Sequence, residues 1–260
     1  MFGRDGVSAN LEDGLLTEAL IELKGWYVGF RWESELWASQ GHRRSPYRVL
    51  VLFGLSPRTK DTRLVEMCRA FFEYFPNPEV LGSLDACLST AAHNILRKGQ
   101  VPFIKSLSQF LAEWGKVPRD VDALVAVNGV GEKVAECVLA YGWGEDALPV
   151  DGNVFRVAAR IWGIPVAGKG RDVKVLRERL KWAYREESAD LAAASIAMID
   201  IHEILRLHAQ NCCGKTPDCH RCPLTGCRSR RQLHTAEGKV VEPAAWDDWR
   251  ELILEPPAGP

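Results

Sequence analysis

Apolar side chains return every three to four positions along most of this 260-residue chain, and that regularity leaves few folds open. Leu64, Cys68, Phe71, Phe72 and Phe75 share one helical face. Phe103, Leu107, Phe110, Leu111 and Trp114 share another, with Pro102 at its start and Gly115 just past its end. A short stripe of Val121, Leu124 and Val125 follows Pro118, and Val154, Val157, Ala158 and Ile161 follow Asp151. Segments 10–23 and 171–185 read as helices, and 189–207 reads as one long alanine-rich helix. Strict alternation, the mark of a half-buried strand, is weak and confined to Tyr27–Trp32. The expected class is all-α.

A chain of this length buries enough apolar surface to fold without disulfides, and 47 % hydrophobic with 26 % charged residues excludes general disorder. No apolar run approaches the roughly 20 residues that cross a bilayer, and the N-terminal segment lacks the apolar stretch of a signal peptide. The expected location is the cytoplasm, in association with the nucleoid, or the nucleus, with no membrane partner. The net charge of −1 gives no whole-molecule attraction to nucleic acid, so any electrostatic footprint is local.

Cysteine usage is uneven. Cys68, Cys87 and Cys137 are isolated in apolar helical contexts and read as small core residues. Cys212, Cys213, Cys219, Cys222 and Cys227 crowd into 16 residues, which in a reducing compartment argues for a metal site. The spacing Cys212-x6-Cys219-x2-Cys222-x4-Cys227 offers four thiolates on a segment curled by Gly214, Pro217, Pro223 and Gly226. Tetrahedral zinc and an iron–sulfur cubane both accept such a set, and spacing alone does not separate them. Cys213 is a spare beside the first ligand. Charge also concentrates here: residues 205–240 carry seven Lys/Arg against two acids, whereas 241–260 carry five acids against Arg250. Arg228, Arg230 and Arg231 are either a solvated face or phosphate contacts. The segment 233–260 reads as an appended tail whose Trp246, Trp249, Leu252, Ile253 and Leu254 are expected to dock.

Between two helical patterns lies Val127-Asn128-Gly129-Val130-Gly131-Glu132-Lys133. Two glycines around one apolar residue make a tight turn with Val130 pointing inward, and the next helix then opens with backbone N–H groups that suit a phosphate. Lys133 falls in that first turn, where positive charge is disfavoured and a neutral, nucleophilic amine is favoured. Asp151 stands just ahead of a helical stripe, as an N-cap does, and the cap brings a carboxylate to the surface there.

These features in this order resemble the endonuclease III family of helix–hairpin–helix DNA glycosylases. Val127–Ala135 is similar to the family's LPGVGxKTA run, Val150–Val157 to VDTHVxRV, and Gly54–Asp61 to LLSAQATD. Cys212–Cys227 is similar to the family's C-x6-C-x2-C-x5-C run, one residue short in the last gap. The resemblance covers roughly 45–232. It implies a two-domain helical fold with DNA in the cleft between the domains: a six-helix domain over 45–155, and a cluster domain from 1–44 with 156–232. It implies a structural [4Fe–4S] cluster on Cys212, Cys219, Cys222 and Cys227, and double-stranded DNA carrying a damaged base or abasic site as the partner of a monomeric enzyme. It further implies a bifunctional glycosylase and abasic-site lyase that removes oxidised pyrimidines. The resemblance gives Lys133 the role of attacking the sugar, Asp151 that of assisting, and Gly129, Val130 and Gly131 that of holding a phosphate, and in that setting Arg228 and Arg230 are expected as further DNA contacts.

Two departures bear on substrate choice. Gly152-Asn153 stands where the family has Thr-His, as in the adenine-mismatch branch, which commonly lacks the lysine and carries a large extra C-terminal domain. Arg58 aligns with the glutamine that fills the gap left by the flipped base. The alternatives are therefore a monofunctional glycosylase for mismatched adenine or a deaminated base, and a paralogue that binds damaged DNA without cutting it.

Overall fold

The computed structural model describes residues 14–32, 44–57, 59–83, 95–164, 173–230 and 239–240. Arg58, Cys87, Arg231 and the tail from 241 onward lie outside the described residues. The helices are α1 (Leu15–Trp26), α2 (Pro46–Leu55), α3 (Asp61–Tyr74), α4 (Pro78–Ser83), α5 (Val101–Trp114), α6 (Val121–Val125), α7 (Glu132–Cys137), α8 (Gly152–Ile161), α9 (Val173–Glu186), α10 (Ser188–Ala193) and α11 (Met198–Asn211). α7 runs straight into a π-helical stretch, Val138–Trp143. Among the described residues the β-structure is one parallel pairing, β1 (Tyr27–Val28) with β2 (Lys239–Val240), Tyr27 opposite Lys239. The fold is all-α, and no helix among the described residues is long and apolar enough to cross a membrane.

The chain divides into two compact units, Met1–Val28 with Val150–Val241, and Gly29–Pro149 with Glu242–Pro260. In the first, α8 packs on α11, and α1 packs on both. Leu20, Leu23, Val154, Ala158, Ile201 and Leu205 fill its core. In the second, α4 packs on α5, and α2 on α7 and the π-helical stretch. Its core includes Tyr47, Leu50, Phe71, Phe75, Leu81 and Ile104.

Local chemistry sets many of the helix ends. Ser45 Oγ accepts from the Arg48 N–H ahead of Pro46, and Asp120 Oδ1 accepts from the Ala123 N–H at 2.7 Å. α5 carries Pro102 in its first turn and ends on Gly115 at φ +67°, whose N–H reaches Leu111 O at 2.9 Å. The expected continuous helix over 189–207 is instead broken between Ala193 and Met198. Ser195 there has φ +55°, in the left-handed region, and Lys24 Nζ of α1 donates to Ala194 O at 3.3 Å and Ser195 O at 2.7 Å. The break turns Ile196 into the core, and Asp200 Oδ2 restarts the helix by accepting from the Ala197 N–H at 2.9 Å.

Candidate functional site: a glycine hairpin and a cysteine loop

The hairpin belongs to the second unit. Val127 and Val130 are buried, and the Val130 N–H closes the turn onto Val127 O at 2.9 Å. Gly129 has φ +92°, a conformation that a side chain strains. A Cβ there would also stand 3.3 Å from Phe103 Cβ. Phe103 is wedged from its other end as well, because a Cβ on Gly54 of α2 would fall 2.1 Å from its ring. One buried phenylalanine thus fills the space beneath the turn between two glycines, one in strained backbone for any side chain and one whose Cβ would strike the ring. The Asn128 N–H donates to Ser106 Oγ at 2.9 Å, a second tie to α5.

Lys133 follows in the first turn of α7, half-buried, with Nζ 4.6 Å from the centre of the Phe53 ring. That ring leans on Tyr141 of the π-helical stretch, with centroids 5.4 Å apart. The buried Glu136 closes the end of the same segment by accepting from the Leu148 N–H at 3.1 Å. Cys68 and Cys137 are buried in this unit, and burial pushes the Cys68 thiol up to about 12, as suits a packing residue.

Asp151 belongs to the first unit, where it is the N-cap of α8. Its Oδ1 accepts from the Asn153 N–H at 2.7 Å and the Val154 N–H at 2.9 Å. The carboxylate is half-buried and fixed in direction by the helix it starts.

The cysteines line one cavity in that unit, with Cys212, Cys213, Cys219, Cys222 and Cys227 on its rim beside Arg160 and His208. The loop has little regular structure, so pegs from three helices hold it. From α11, His208 O accepts the Cys212 and Cys213 N–H groups at 2.9 and 2.8 Å. From α8, Arg160 donates to Cys213 O, Gly214 O and Lys215 O at 3.2, 2.7 and 2.9 Å, and to Cys213 Sγ at 3.2 Å. Arg156 Nε reaches Cys213 O at 3.2 Å, while Ser229 and Arg228 N–H groups return to Arg160 O and Ile161 O. From α1, Glu22 accepts from the Thr225 backbone, and Gly226 leaves room for Leu15. Burial raises the Glu22 carboxyl, partly offset by Thr225 and Arg230. Arg228 is exposed; the Arg230 guanidinium donates to Leu224 O.

The donor set fits a metal centre. His208 Nε2, Cys212 Sγ and Cys222 Sγ belong to a group of ligand atoms within 4.8 Å of one another, and Cys219 and Cys227 extend the rim. The hydrogen bond with Cys212 pushes the Cys222 thiol up to about 12 and holds that of Cys212 down, while burial pushes Cys227 up to about 11. Several half-buried thiols this close resist carrying charge together, and a bound cation removes that cost. Sequence patterns placed Phe103 on an apolar helical face but gave no sign of its fit under the hairpin, and they did not point to Phe53, Tyr27 or the paired arginines of α8. The only trace of the last is their i, i+4 spacing opposite the apolar stripe of α8.

Comparison with known proteins agrees with this architecture. Residues 115–141 match the helix-hairpin-helix motif model. Endonuclease III of Escherichia coli K12 is 33 % identical over 183 residues, covering 68 % of this chain and 81 % of that one. The thymine/uracil-DNA glycosylase of Pyrobaculum aerophilum is 29 % identical over 205 residues, 76 % of this chain and 85 % of that one. A solved non-covalent endonuclease III–DNA complex superposes with a TM-score of 0.65 at 23 % identity, over 84 % of this chain and 96 % of its own. With its hairpin, its cysteine loop and a relative matched over most of its length, this chain belongs to the endonuclease III family of helix–hairpin–helix DNA glycosylases.

Proposed function

We propose that the protein is a base-excision DNA glycosylase that also cleaves at abasic sites by β-elimination, acting on oxidised pyrimidines in double-stranded DNA. The observation that carries the reading is Lys133, in the first turn after a Gly-Val-Gly hairpin with its amine over the Phe53 ring. The damaged nucleotide first leaves the stack so that its sugar is reached. The Lys133 amine, having given up its proton, attacks C1′, the bond from C1′ to the base breaks, and the base leaves with a proton. Opening of the sugar ring gives an imine between Nζ and C1′. Loss of a C2′ proton then expels the 3′ phosphate, nicking the strand 3′ of the lesion, and water frees the lysine. Asp151 takes the lysine proton or stabilises positive charge developing on the sugar, and its bonds to the Asn153 and Val154 N–H groups fix its direction.

Gly129 and Gly131 are assigned a DNA phosphate through backbone N–H groups, while Val130, whose own N–H is taken by Val127 O, supports the turn from beneath. Arg228, exposed, is assigned another; Arg230, turned toward Leu224 O, makes a weaker contact. Arg58 is assigned the space vacated by the flipped base. The cofactor is a [4Fe–4S] cluster on Cys212, Cys219, Cys222 and Cys227. Four thiols bordering one cavity offer the donor set that such a cluster takes. Bound there, the cluster supplies rigidity to the loop and no chemistry to the sugar.

Borohydride trapping on an abasic-site duplex tests the reading. Wild-type protein is expected to give a covalent band that Lys133→Ala abolishes. A monofunctional glycosylase is favoured by the Gly152-Asn153 pair. It would release a base, leave an intact abasic strand and give no band.

A further inference from the structure

Three buried side chains form a hydrogen-bonded line that ends on a cysteine sulfur. Tyr27 Oη lies 2.8 Å from His208 Nδ1, and Nε2 of the same ring lies 3.5 Å from Cys222 Sγ. Tyr27 is 1 % exposed, His208 0 % and Cys222 7 %, so water does not compete along the line. Tyr27 is held from two directions. β1 pairs it with Lys239 of β2, and its ring meets His208 edge-on at 6.1 Å between centroids.

The buried phenol has one proton to donate, and the relay is the arrangement in which His208 Nδ1 accepts it. The ring proton then lies on Nε2, the nitrogen that faces the sulfur. The backbone of His208 also accepts from Cys212 and Cys213, so one residue grips the loop at both its main chain and its ring.

We propose that Tyr27 and His208 form a relay that fixes an N–H···S hydrogen bond on Cys222, and that through it they position this ligand and raise the reduction potential of the cluster. His208 is then a positioning residue and not a ligand. The relay rests on the cluster reading given above. A donor at a ligand sulfur withdraws electron density and stabilises the reduced, more negative state, so its loss moves the potential downward.

The test uses the full-length protein, with iron and sulfide content, protein-film voltammetry and resonance Raman of the iron–thiolate stretch as readouts. Tyr27→Phe keeps the ring and removes only the hydroxyl; it is expected to retain the cluster and shift the potential negative, because the imidazole proton is no longer pinned. His208→Phe is expected to shift it further, and His208→Gln, which restores an N–H, to recover part of the difference. An unchanged potential and stretch in Tyr27→Phe with full iron content would overturn the relay alone. Loss of iron in His208→Gln, with Tyr27→Phe normal, would make His208 a ligand and overturn it too. Wild-type protein without iron and sulfide would overturn the cluster reading and the relay together.

Discussion

The hairpin at 127–133 and the cysteine loop at 212–230 are both short and irregular, yet they are held in contrasting ways. Beneath the hairpin there is hydrocarbon: Val127, Val130 and the Phe103 ring, fitted against Gly54 and Gly129. The loop has little apolar support of its own beyond Leu224 and is tied by arginine-to-carbonyl bonds, backbone amides and cysteines around a cavity. A packed turn keeps its shape with no ligand present. A loop whose interior is a ring of thiols completes its core only when something binds them. The two regions therefore differ in what breaks them.

The largest effect is expected from Cys222→Ser or from stripping the metal. Hydrogen exchange should accelerate across 212–230 while the amides of 130–137 stay protected; equal loss in both regions would refute the contrast. Next is Phe103→Ala, at about 3–5 kcal/mol of stability. It should weaken DNA binding through the hairpin and leave the cluster's visible absorbance intact. Gly129→Ala follows, at about 1–2 kcal/mol for a side chain in left-handed backbone, with DNA affinity falling more than stability. The smallest change in stability separates the two roles of Asp151. Asp151→Ala should cost about 1 kcal/mol as a lost cap, whereas Asp151→Asn keeps the cap and stability but lowers trapping at least tenfold. Full trapping by Asp151→Asn would reduce Asp151 to a helix cap.

Whatever depends on neighbours within one or two turns was legible in the sequence. Pro102 and Gly115 bracket α5, Asp151 caps α8, and the glycines mark the turn. What was hidden depends on partners far along the chain. Nothing in the alanine-rich run announces a break at Ser195, because the residue that holds it, Lys24, lies 171 positions away. The Tyr27–His208 contact spans 181 positions, and the fit of Phe103 against Gly54 has no periodic signature at all. Helical periodicity tells which face is buried and is silent on what it meets. The residues proposed for the chemistry stood out more than those around them: the cysteines by spacing and Lys133 by its place after the glycine turn, while Arg160, Tyr27 and Phe53 carry no pattern and are brought beside them by the fold.

The first unit takes its helices from either side of Gly29–Pro149. On a ribosome adding about 5–20 residues per second, α1 emerges ahead of its partners α8 and α11, while the helices described in the second unit all precede α8. The clustered cysteines follow α11, and β2 follows them. Metal binding at these thiols therefore waits on chain made after α11, and a chain cut before residue 212 carries the hairpin residues without any of the five clustered cysteines.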